Sequence, residues 1–133
     1  MNRTWFSIAA LMGAATLLFS LSSCAHNQHL VSIQVQPNAV VFEGVGAQVQ
    51  FTALGTYDHP PETKDITNQV QWRIDIGYLA TINSSGLAVA TNVCGAGNAI
   101  ATVYSDPSDP SGGTIMEGSA AISGVQQGTP ACQ

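Results

Sequence analysis

The stretch Lys64–Ile74 reads KDITNQVQWRI. Its second half alternates. Val70, Trp72 and Ile74 fall on one side of an extended chain, and Gln71 and Arg73 fall on the other. Apolar residues at period two mark a half-buried strand. Just before it, Asp58–Asp65 (DHPPETKD) is polar and holds Pro60 and Pro61, so it is expected to be a loop. Trp72 is the bulkiest apolar side chain of this strand and is expected to be the largest core anchor.

The same alternation recurs in both directions. VSIQVQP (31–37) sets Val31, Ile33 and Val35 against Ser32, Gln34 and Gln36, and Pro37 closes it. AVVF (39–42) is a second short strand, and Glu43–Gly46 is a turn. AQVQFTALGTY (47–57) points Val49, Phe51 and Ala53 inward. YLATI (78–82) and LAVAT (87–91) flank Asn83-Ser84-Ser85-Gly86, which reads as a hairpin. AIATVY (99–104) is fairly apolar on both faces and is expected to be central; SDPSDPSGGT (105–114) is a polar loop; IMEGSAAISGV (115–125) closes the domain. No segment from 30 to 125 has a helical period. Short strands separated by turn signals imply an all-β sandwich with one core.

Charge is scarce. Only 8% of the 133 residues are charged, with eight acidic and three basic. Such a chain offers no cationic surface to a phosphate backbone, which excludes nucleic acid as a partner class.

The N-terminus reads as a targeting segment. Arg3 precedes an uncharged run from Trp5 to Leu21, WFSIAALMGAATLLFSL, as in a secretory signal. The run ends in Leu21-Ser22-Ser23-Cys24, which resembles the lipobox of bacterial lipoproteins. That resemblance implies a thioether-linked lipid on Cys24, cleavage before it, and membrane attachment through the acyl chains. Residues 1–23 would then be a signal peptide and 24–29 a lipidated tether. Residues 30–125 would be the domain and 126–133 a tail. Ala25 after the cysteine leans towards the outer rather than the inner membrane. Two alternatives stay open: cleavage after Ala25 with secretion, and an uncleaved anchor helix. In an exported chain, Cys94 and Cys132 are expected to pair as a disulfide.

From about Val31 to Val125 the chain resembles the group 2 bacterial immunoglobulin-like domain, found in intimin- and invasin-type adhesins. KDITNQVQW (64–72) is similar to that family's KDVTNQVTW, and ATINSSGL (80–87) to its ATVDSSGLV. Gly55-Thr56-Tyr57 resembles its GTY. Arg73-Ile74 replace the two serines usual after the tryptophan. Cys94 and Cys132 lie outside the family pattern. The resemblance implies an immunoglobulin-like sandwich of about seven short strands. It marks Asp65, Thr67, Trp72 and Gly86 as fold residues: Asp65 and Thr67 bond local backbone, and Gly86 permits a positive φ in a tight turn. It transfers a fold and not a catalytic site.

Nothing in the sequence groups an acid, a base and a nucleophile. His26 and His29 lie in the tether and His59 in the Pro-rich loop, so neither a catalytic nor a metal site is expected, and no cofactor. Asp106 and Asp109 in a polar loop are too few for calcium. Tyr57, Tyr78 and Tyr104 are the aromatics that a sugar-binding face would use. The expectation is a non-catalytic, lipid-anchored envelope module that displays a structure or holds an envelope or surface protein. The alternative is a carbohydrate- or ion-binding adhesion module.

Overall fold

Alternating segments become strands wherever one side can be buried. The protein's structure is a computed structural model that describes residues 28–91, 94–104 and 113–124. Among the described residues there are ten strands and no helix. They are β1 (Leu30–Gln36), β2 (Ala39–Phe42), β3 (Gln48–Gln50), β4 (Thr52–Tyr57), β5 (Glu62–Asp65), β6 (Gln71–Ile74), β7 (Ala80–Ile82), β8 (Leu87–Ala90), β9 (Gly95–Tyr104) and β10 (Ile115–Gly124).

These strands build two layers. β3 and β4 are one strand interrupted at Phe51, whose amide still donates to Gly86 O at 2.8 Å. Its first half pairs with β8 and its second half with β1; β8 pairs in turn with β7. The other layer runs β6–β9–β10–β2. With β1–β2 and β3–β4 each taken as one strand and β5 set aside, seven remain. Their pairing is that of the immunoglobulin fold, A-B-E-D against C-F-G. Pro37, after β1, marks the change of layer, and β2 then lies parallel to β10. As expected, β9 is central, with β6 on one side and β10 on the other.

The core lies between the layers. Phe42, Phe51, Ile66, Leu79, Ile122 and Val35 are its largest fully buried side chains. Each is worth roughly 1.5–3 kcal/mol over exposure. The layers come close where Gly118 of β10 meets β1. A Cβ there would lie 2.7 Å from Ile33 O, so only glycine fits without displacement.

Three expectations need correction. Val31 does not point inward: it is 49% exposed, and Leu30 takes the core position at 6%. The β1–β4 register shifts between Leu30 and Ser32, and this bulge resets the alternation. Glu62–Asp65 is not loop but strand, paired with β4 from Tyr57↔Glu62 to Leu54↔Asp65. All four of its residues are exposed, so no apolar alternation announces it. Trp72 is packed against the core but only partly buried. β6 is the edge strand of its layer, so no further strand covers the outer side of the indole.

Candidate functional site

Asp65, Thr67 and Trp72 meet around one residue. Thr67 N donates to Asp65 Oδ1 at 2.9 Å, and Thr67 Oγ1 accepts from Ala53 N at 3.0 Å. Thr67 O accepts from Trp72 Nε1 at 2.9 Å. The Thr67 hydroxyl and amide both bond Asp65 and hold its carboxyl below the usual aspartate value. Thr67 is a buried polar residue, and every polar group it contributes has a partner. The Trp72 ring lies 6.3 Å from Phe51, centroid to centroid. This clasp ties the segment before β6 to β4 in the opposite layer. It is a device of folding.

Gly86 serves the fold as well. Its φ is +82°, and a Cβ would stand 2.5 Å from Phe51 O. Asn83 organises the same turn: its Oδ1 accepts from Ser85 N and Leu87 N, each at 3.0 Å.

A second polar cluster forms where the chain meets β1, and sequence reading missed it. His29 N donates to Asp58 Oδ1 at 3.0 Å, and Asp58 N donates back to His29 O at 3.0 Å. Gln28 Nε2 donates to Pro60 O and to Glu62 Oε2, both at 3.3 Å. Lys64 Nζ donates to Gln28 Oε1 at 2.6 Å, pairs with Glu62 at 3.1 Å and sits over the Tyr57 ring. The bond from the His29 amide holds the Asp58 carboxyl below its usual range, and Lys64 does the same for Glu62. Gln28 and His29 are thus fastened to the sandwich. The signal available was Glu62 and Lys64 at period two around Thr63, which places both on one side of a strand.

The strand registers define two ends. Ile33 lies beside Gly118, and Asn38 O accepts from Ala121 N, so β1 and β10 run the same way. Leu30, paired with Tyr57, is therefore at the level of Ile115, paired with Tyr104. At this end a groove of about 330 Å³ is lined by Gln69, Gln71, Thr102, Val103, Tyr104 and Ile115. It offers amide, hydroxyl and apolar surface, with no carboxylate, imidazole or amine. Tyr78 lies at the other end, against Gly95 at the start of β9. Nine residue steps along β9 separate it from Tyr104, roughly 30 Å. The tyrosines therefore do not form one sugar-binding face.

Among the described residues, no three His, Cys, Asp or Glu side chains are placed to hold a metal. His29 and His59 both approach Asp58, His59 Nδ1 at 3.2 Å, in an exposed setting. Cys94 is disulfide-bonded. Cys24, His26, Asp106, Asp109 and Cys132 lie outside the described residues.

No family model matches the chain. Sixty residues, 45% of it, are 47% identical to ice-binding protein 1 of Shewanella frigidimarina (strain NCIMB 400). The match spans 6% of that relative's length.

Proposed function

We propose that the chain is a lipid-anchored, non-catalytic immunoglobulin-like module of the bacterial cell envelope, of the group 2 kind. It would serve structural display or protein–protein contact, attached to the membrane through Cys24. The observation that carries this reading is the use made of the motif residues. Asp65, Thr67, Trp72 and Gly86 are all occupied in holding the layers and turns together. The match to a small part of a much longer protein also supports a module rather than an activity. Ice binding belongs to that relative's name and comes with no particular residue of this chain.

Cysteine chemistry fits the same reading. A thioether at Cys24 leaves Cys132 as the partner of the disulfide-bonded Cys94 within the chain. Fractionation tests the anchor. Wild type is expected with the membranes of the envelope, outer rather than inner, and Cys24→Ala is expected to leave the lipidated fraction. Wild type found only in the soluble fraction would support secretion instead.

A further inference from the structure

The structure assigns a direction to the module. We propose that the end bearing His59, Pro60, Tyr104 and Ile115 rests on the bilayer surface, with Tyr78 and Val45 pointing away. This inference rests on acylation of Cys24.

Tether length comes first. Gln28 is already bonded to Pro60, Glu62 and Lys64. Four residue steps separate its Cα from that of Cys24, a span of at most ~14 Å. The lipid therefore sits close to this end, and the opposite end stands about 30 Å further along β9. The polar cluster matters here. His29 and Asp58 exchange two backbone-involving bonds, so the chain leaves the sandwich at a fixed place beside β4 and β5.

Surface chemistry is alike at the two ends, since Tyr78 and Val45 at the far end are 61% and 71% exposed, so tether length alone sets the direction. Tyr104 and Ile115 are 51% and 61% exposed, side by side at the tether end. An aromatic with a polar tip beside an aliphatic suits the headgroup boundary. Charge does not drive the contact: Lys64 is paired with Glu62, and the stretch joining Tyr104 to Ile115 brings Asp106 and Asp109 and no cation. The contact is accordingly expected to persist in high salt. At the far end, Gly46 N bonds Ala90 O, and Ala90 pairs with Ala80, next to Leu79. Val45 and Tyr78 thus share the outward end.

The test uses acylated full-chain protein in phosphatidylethanolamine/phosphatidylglycerol vesicles containing a gadolinium-chelating lipid. Tyr104→Trp and Tyr78→Trp are each prepared with 5-fluorotryptophan, and Trp72, paired with Ala101, serves as an internal reference between the two ends and nearer to Tyr104. Fluorine line broadening is expected to be several-fold larger at position 104 than at 78, with Trp72 between them. Loosening the cluster with Gln28→Ala and Asp58→Ala is expected to shrink that contrast. Equal broadening at both ends, or more at 78, overturns the proposal while leaving the anchor intact. A contrast unchanged by the two alanines overturns the role of the cluster. Intact mass checks the premise: protein without acyl mass overturns the orientation and the anchor together.

Discussion

Trp72 Nε1 lies 2.9 Å from the carbonyl oxygen of Thr67, five residues back in the chain. The same threonine accepts from Ala53 N in the facing layer. One residue thus joins the edge strand β6 to the inner strand β4. The indole satisfies its only polar atom while its rings lie on Phe51.

Thr67→Val keeps the shape and removes the hydroxyl. The buried Ala53 amide then loses its acceptor. The expected cost is about 1–3 kcal/mol. Thr67→Ser is expected to cost less than half as much. Urea melts of the two variants check this; equal losses would mean that the methyl group, not the hydrogen bond, is what matters.

Trp72→Ala is expected to cost about 3 kcal/mol, the low end for a large aromatic, because the ring is only partly buried. Trp72→Phe should lose about 1 kcal/mol, that of a single hydrogen bond. Denaturant midpoints measure both.

Gly86→Ala places a Cβ against Phe51 O and forces a left-handed backbone on alanine. The conformation alone costs about 1–2 kcal/mol, and the close contact adds to it. At Gly44 a Cβ would meet nothing within 4 Å, so Gly44→Ala is expected to stay within about 0.5 kcal/mol. A thermal-melt comparison separates the two sites.

Acid should loosen the fold in a defined window. Asp58, Asp65 and Asp75 are held below 3.8, and Glu62 below 4.5, chiefly by hydrogen bonds from His29, Thr67, Asn98 and Lys64 respectively. Lowered values mean that the unfolded chain binds more protons in this range, so stability rises with pH. The contribution is complete above the ordinary values and is lost as pH falls through them into the lowered ones. Melts from pH 6 to 2 are expected to stay flat at first and to fall below about pH 4.5. A protein equally stable at both ends would contradict the assignment.

The Arg73–Glu117 pair spans β9 at 3.1 Å, with both side chains about half exposed. A double-mutant cycle is expected to give at most about 1 kcal/mol.

The strands with a buried face were legible from alternation: Val49, Phe51 and Ala53, or Val70, Trp72 and Ile74. The motif marked Asp65, Thr67 and Trp72 as fold residues, but the bonds from Trp72 to Thr67 and from Ala53 to Thr67 that make the clasp were not legible. β5 was not, because it buries no face and is held by its backbone pairing with β4. The Leu30 bulge was hidden too, since a register slip leaves the apolar string unchanged. Gln28 and Asp58 are distant in sequence, and only the return of β4 into β5 brings them to one place.

The intact mass of native protein from the membrane fraction, before and after reduction, tests the central claim most directly. The account expects a chain beginning at Cys24 with added acyl mass, which gains one hydrogen per sulfur of the Cys94–Cys132 pair on reduction. An unmodified chain beginning at His26 in the soluble fraction would contradict the anchor.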